Sequence, residues 1–362
     1  MWEKREDTIV HEVEPYNAEP SRAALDRALC TPIDTFYSRN HGPVPTIDAS
    51  TWRLKVDGLV DHELELDLPR LKADFAHREV VATLQCAGAR RADLVAIRDI
   101  PGEAPWGPCA TSTARWAGVA LADVLAAAGL QDAAAHVAFE APDVSDHPTP
   151  PQCYGSSVTR RKAASPEVLL AWAMNGEPLP AVHGGPVRVV VPGWIGARSV
   201  KWVERVTARL DPSQNYFQQV AYRLLPADAD PDHADLDRMP MLSSVALNSD
   251  TLVPAPASVV PAGPTEVSGY AYAGDDRSVI RVDVSIDRGQ SWRQAELEQD
   301  AGDWAWCRWR TLIDLEPSAT TVTVRAWDST GAAQPDTAAA LWNPKGYINN
   351  AWSHTTFDVE AQ

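Results

Sequence analysis

The sequence predicts an α+β domain followed by an all-β sandwich of immunoglobulin-like size, and three features predict it. Short strand-like and helical segments mix up to about residue 225, an acidic stretch without periodicity follows, and from Met241 onward apolar and polar residues alternate in twos. At 362 residues the chain is long enough for two domains, placed at 1–236 and 237–362.

In chain order, the β-branched run "EVVATLQC" (79–86) predicts a strand. "GVALADVLAAAGL", Gly118 to Leu130, predicts a helix from its apolar spacing and from Gly129 near its end. "PEVLLAWAMN", Pro166 to Asn175, predicts a second helix that begins on proline and stops at Gly176. "PVRVVVPG" (186–193) reads as a strand buried on both faces. "PADADPDHADLDR" (226–238) reads as a solvated linker. Its Asp228, Asp230 and Asp232 imitate a calcium loop, but His233 stands where the glycine belongs and Met239 where the bidentate glutamate belongs. In the sandwich, "VIRVDVSIDRGQSW" turns Val282, Val284 and Ile286 inward against Asp283 and Ser285, then reverses at Asp287 to Gln290. "TVTVRAWD" repeats the alternation, and the change of parity along Trp304, Trp306 and Trp309 calls for a bulge or a bend.

Composition narrows the function. A net charge of −17 opposes nucleic acid and anionic membrane at long range, so an anionic substrate needs a local cationic site. Cys30, Cys86, Cys109, Cys153 and Cys307 are scattered, without C-x-x-C, which argues against a disulfide framework or a zinc cage and suits a reducing compartment. The amino terminus, "MWEKREDTIVHEVEP", has no apolar run for a leader or a span, so a cytoplasmic location is expected, or a periplasmic one if an export leader has been removed. No G-x-S-x-G accompanies the "HGGP" at His183, and neither phosphate-binding glycine loop nor H-E-x-x-H occurs.

One stretch remains unexplained by ordinary structure: "TLQCAGARR", Thr83 to Arg91. Alone, Cys86 is a small core residue. Followed by Gly88 and by Arg90 and Arg91, it becomes a candidate thiolate, since the cations lower the thiol pKa and the glycine lets a bulky ligand approach.

With those residues in view, the chain resembles the sulfite oxidase family of molybdenum enzymes, in its haem-free plant-type or bacterial form. "TLQCAGARR" is similar to the family's "LQCAGNRR", with Ala89 in place of asparagine; "EPYNAEPSRAALDRALCTPIDTFYSRNHGPVP", "STARWAGVALADVL", "AMNGEPLP", "HGGPVRVVVPGWIGARSVKW" and "WNPKGYINNAW" follow in the family's order. The resemblance implies a molybdopterin-binding domain, a sandwich that forms a homodimer, and Cys86 as the thiolate ligand of molybdenum. It implies cofactor contacts at Tyr37, Ser38, Arg39, Asn40 and His41, at Asp143, and at His183, Arg188, Ser199, Val200 and Lys201. A dianionic phosphate tail needs such fixed cations and amides. It places Arg39 and Tyr222 beside the metal as substrate residues, with Lys345 where many members carry a second arginine. A lysine keeps that charge but loses the bidentate fork.

The implied reaction is oxidation of sulfite to sulfate. Nitrate reductases share the scaffold but carry asparagine at the position of Tyr222, so reduction of nitrate or of a sulfoxide ranks second. A non-catalytic interaction protein ranks last, because Cys86, Arg39 and the phosphate cations are all in place. No C-x-x-C-H motif occurs, so no haem is expected in this chain and electrons pass to oxygen or to a separate cytochrome.

Overall fold

The computed structural model describes residues 2–298 and 302–361. The first domain is built on two five-stranded sheets. One has the order Glu177–Pro178, Leu169–Met174, Thr111–Ala120, His77–Gln85, with Arg188–Val190 also paired to Leu169–Met174. The other runs Leu64–Asp67, Arg53–Gly58, Arg205–Arg209, His136–Ser145, Gln152–Thr159, parallel only between Arg53–Gly58 and Arg205–Arg209 among these pairs. The longest described α-helix, Leu121–Ala127, has seven residues, so the α+β class holds with strands dominant.

Two helix expectations change. Gly118 to Ala120 complete the strand Thr111–Ala120, and the helix starts only at Leu121; Gly129, at φ 71°, lies just beyond its end. Residues 169–174 are a strand, not a helix. Leu, Ala and Met favour helices, but Leu169, Leu170, Ala171 and Met174 are wholly buried, and the segment is held between Thr111–Ala120 and Arg188–Val190. Pairing and burial override propensity here. Asn175 and Gly176, at φ 52° and 84°, form the hairpin turn into Glu177–Pro178, so the glycine that resembles a helix stop is the second residue of a primed turn.

The second domain packs a four-stranded sheet (Asn248–Val253, Gly263–Tyr272, Cys307–Leu315, Glu296–Glu298) against a five-stranded one that includes Val279–Ser285, Ala319–Asp328 and Ser353–Glu360. Val282 and Val284 point into its core, whereas Ile286 is exposed because the strand ends at Ser285. Asp283, expected outward, is fully buried; Arg281 binds it at 2.7 Å and Arg325 at 3.2 Å, which balances a charge that burial alone would penalise. The parity change among the tryptophans falls at a strand start. Trp306 precedes Cys307–Leu315 and packs with the first domain, Trp309 lies within it and packs with the second, and the pairing to Gly263–Ala271 runs unbroken.

The domains share a core. Leu252, Tyr270, Tyr272, Trp306 and Tyr347 join the main cluster of the first domain, and the Tyr270 hydroxyl donates to the Pro108 carbonyl at 2.7 Å. The segment 226–238 carries turns and one 3₁₀ turn, Leu236–Arg238. Asp230 pairs with His233 there, and no group of three or more metal-ligating side chains occurs among the described residues.

Candidate active site

A cleft opens between the two sheets of the first domain, with Leu84 and Arg188 on one side and Asp143 and Tyr154 on the other. Cys86 enters it from the end of His77–Gln85, its backbone N–H bonded to the Ala110 carbonyl at 2.9 Å. The Gly88 N–H donates to its Sγ at 3.4 Å. Burial raises the thiol pKa, and Arg91 and Arg39 oppose that rise. Arg90, expected to act on the thiol, is turned away: its guanidinium donates to Asn248 Oδ1, the Ala351 carbonyl and the Trp352 carbonyl, all in the second domain. Gly88 has a different role from the one expected. The Arg91 guanidinium lies 2.6 Å from where a Cβ on Gly88 would stand, so the space over this glycine holds an arginine of the chain itself.

The opening segment forms one wall of the cleft with Tyr37, Ser38, Arg39, Asn40 and His41. Arg39 donates to the Asn40 carbonyl and reaches Asn17 Oδ1 at 3.5 Å. His41 packs against the rings of Tyr154 and Phe217, at 4.6 and 4.4 Å, which also touch each other at 4.7 Å, and its Nε2 is 2.6 Å from the Tyr222 hydroxyl. Burial holds this imidazole neutral, with Arg39 adding to the effect. Tyr222 follows the π-helix Phe217–Ala221, an irregular turn fixed by the buried Arg198, which donates to Gln218 Oε1 at 2.6 Å, Ser156 Oγ at 2.8 Å and the Leu242 carbonyl at 2.7 Å. The Tyr222 ring stacks on Tyr347 at 5.4 Å.

The opposite end collects cations. Arg188 donates to the His183 and Ser199 carbonyls at 2.8 and 3.1 Å, and Lys201 donates to Asn40 Oδ1 and the Val182 carbonyl. Gly184, at φ 101°, brings the two together: a Cβ there would stand 2.9 Å from Lys201 and 3.0 Å from Arg188. Burial pushes Lys201 well below its ordinary range, and Arg188 pushes it further, against Asp143. Burial likewise drives Asp143 up to about 7 and Arg188 down to about 10. Ser199 lines the cleft while its hydroxyl accepts from the Val191 N–H. The Val200 side chain is core and does not line the cleft. Lys345 also lies outside the lining residues; its ammonium is 3.6 Å from Glu103.

Sequence reasoning passes over Lys4. Its amino group donates to the Ile33 and Phe36 carbonyls at 2.6 and 2.8 Å and meets His183 Nε2 at 2.7 Å. Burial lowers it to about 7. No motif marks a lysine in a charged terminus. Glu103 and Tyr347, beside Arg91 and Tyr222, are passed over too, although Tyr347 stands two residues from Lys345 in a quoted motif.

This end suits a phosphorylated pterin. Arg188, Lys201 and Lys4 crowd together with unfavourable mutual charge, an arrangement that a bound dianion relieves. Ser38 Oγ and Asp143 Oδ1 are buried without a hydrogen-bond partner. The donor set therefore fits the group, with one soft ligand, Cys86, at the far end.

Fold and cleft define a molybdopterin oxidoreductase joined to a dimerisation domain. Residues 41–217 match the oxidoreductase molybdopterin binding domain and residues 240–360 the Mo-co oxidoreductase dimerisation domain. The chain belongs to the sulfite oxidase family. It is 41% identical to sulfite oxidase of Gallus gallus over 95% of its own length and 76% of that protein, and 35% identical to sulfite oxidase of Arabidopsis thaliana over 95% and 92%. It spans 64% of the mammalian sulfite oxidases it matches. Nitrate reductase of Hordeum vulgare is 36% identical over 99% of this chain and 43% of that protein. Among solved structures, the sulfane dehydrogenase SoxCD from Paracoccus pantotrophus superimposes with a TM-score of 0.82 at 26% identity, over 97% of this chain and 88% of that one.

Proposed function

We propose that the chain, as a homodimer, oxidises sulfite to sulfate: sulfite and water give sulfate, two protons and two electrons. The reading rests on one feature above all, the Tyr222 phenol held between His41 and the Cys86 end of the cleft, where nitrate reductases carry asparagine. The molybdenum centre, when bound through Cys86 and the pterin, supplies the oxygen transfer and accepts the electron pair.

The chain's own residues bind and orient the anion. Arg39, held by Asn40 and Asn17, presents a fixed guanidinium to the anion. The Tyr222 hydroxyl hydrogen-bonds the anion or donates its hydrogen bond to His41 Nε2. Burial keeps that imidazole neutral and able to accept. Phe36, Trp202 and Tyr154 line the cleft, exclude water and strengthen each charge contact. Electrons leave to oxygen or to a separate cytochrome, and a reducing compartment suits five scattered cysteines without C-x-x-C.

The deciding experiment is sulfite-dependent reduction of ferricyanide, normalised to molybdenum content, with nitrate and a sulfoxide as rival substrates. Fast sulfite turnover is expected. Full molybdenum loading with turnover only of a rival substrate removes the proposal in favour of the reductase reading.

A further inference from the structure

We propose that Glu103 sets the affinity of the substrate site for dianions by screening Arg91 and Lys345, two cations that stand behind the cleft lining. The inference rests on the sulfite reading above.

Glu103 uses both carboxylate oxygens. Oε2 lies 3.2 Å from Arg91 Nη2 and Oε1 lies 3.6 Å from Lys345 Nζ, so one carboxylate bridges a cation of the first domain and one of the second. Arg91 is otherwise tied to neutral groups: Nε donates to the Lys345 carbonyl at 3.0 Å and Nη1 to the Ala104 carbonyl at 2.8 Å. Its guanidinium sits 5.3 Å over the Tyr347 ring, which stacks on Tyr222. Arg91 therefore stands one ring behind the catalytic phenol, and Glu103 stands directly behind Arg91.

Charge accounting then separates the cations. Arg39 has no carboxylate partner within ion-pair distance among the described residues, so its charge is available to an anion. Arg91 and Lys345 are both neutralised in part by Glu103. The negative field of Glu103 also reaches Cys86, Tyr222 and Arg39, so it acts on an anion bound among them. A dianion held among Arg39, Cys86 and Tyr222 feels the full field of Arg91 and Lys345 only when Glu103 swings away. The carboxylate has somewhere to go, since its residue is 19% exposed while Arg91 is 3% exposed. Sulfate, the product, carries the same charge as sulfite and meets the same screening. Glu103 thus weakens substrate and product together, and the benefit falls on product release.

The test compares Glu103→Gln with Glu103→Asp in the loaded, full-length enzyme. Glu103→Gln keeps size and hydrogen bonding but removes the charge; KM for sulfite and Ki for sulfate should both fall, by about threefold to tenfold. Its kcat should hold or decline as sulfate leaves more slowly, and its KM should rise more steeply with salt. Glu103→Asp should keep parental KM and Ki. Inorganic sulfate binding by calorimetry on the same proteins gives a readout that needs no turnover. Unchanged KM and sulfate affinity in Glu103→Gln overturn the proposal, and so does a raised KM, which would make Glu103 a support for Arg91. If the parent oxidises no sulfite yet Glu103→Gln binds sulfate more tightly, the sulfite reading fails and the screening stands; the reverse result separates them the other way.

Discussion

Cys86 carries the largest consequence per atom in the chain. Replacing it with serine leaves a hydroxyl of similar size in the same 8% exposed position, so the fold should persist. An alkoxide is a poor substitute for a soft thiolate, so Cys86→Ser should show a parental melting temperature and negligible sulfite turnover per molybdenum. Tyr222→Phe removes only the hydroxyl that meets His41; molybdenum content should be unchanged while kcat/KM for sulfite falls about tenfold to a hundredfold. Steady-state kinetics on both variants check these outcomes. The residues that sequence alone could reach are those whose chemistry is written beside a fixed neighbour, as with Cys86 or the cations around "HGGPVR". The two arginines after Cys86 look equivalent in sequence. Only the turn, with Arg90 at φ 62°, sends one across to the second domain and folds the other back over Gly88. Lys4 meets His183 across a separation of 179 residues, a distance at which no pattern is visible.

At the scale of elements, the irregular turn Phe217–Ala221 matters more than any regular strand, because it delivers Tyr222. Arg198 fixes it through three acceptors from three parts of the chain, Ser156, Gln218 and Leu242. Arg198→Met should fill the volume but leave those acceptors unsatisfied, lowering stability by about 3 kcal/mol. Chemical denaturation should read that loss, with kcat falling as Tyr222 drifts. Such a turn has no periodicity and cannot be read from residue types. The mistaken helix over Pro166 to Asn175 has a related cause. Its Leu and Ala content favours a helix and is overridden only by burial and strand pairing, and Asn175-Gly176 serves either as helix stop or as hairpin turn. Strands that alternate visibly, such as Val279–Ser285 and Ala319–Asp328, were readable because one face meets a core. Even there the outward position of Asp283 is lost, since Arg281 and Arg325 supply the charge that lets it be buried.

In the molecule as a whole, Asp143 and Lys4 should each give stability without cofactor a limb with pH, and the two limbs are opposed. Burial raises the Asp143 carboxyl from 3.8 to about 7, so the stability it contributes is complete below about pH 4 and is lost as pH rises through 7. Burial lowers Lys4 from 10.5 to about 7, so the folded chain holds fewer protons than the unfolded one between those values and stability rises with pH over that span. Each slope reaches up to about 1.4 kcal/mol per pH unit. The buried His41 and His183, held well below their ordinary value, oppose the Asp143 slope below about pH 6.5, so each contribution is read as the difference between a variant and its parent. Melting temperatures across pH 4 to 10 should show that difference in the cofactor-free protein. Asp143→Asn should flatten the acid limb and Lys4→Met the alkaline one.

The Arg90 crossing has a mechanical meaning. The turn that carries Cys86 continues, four residues on, into a side chain anchored to Asn248, Ala351 and Trp352. The second domain, which matches a dimerisation domain, is therefore also a fastener for the turn of Cys86, the ligand proposed for the metal. Prising the sandwich away would loosen the thiolate in the same motion. Heating the loaded enzyme should release molybdenum and unfold both domains in one calorimetric transition, with no intermediate that keeps the metal on a detached first domain.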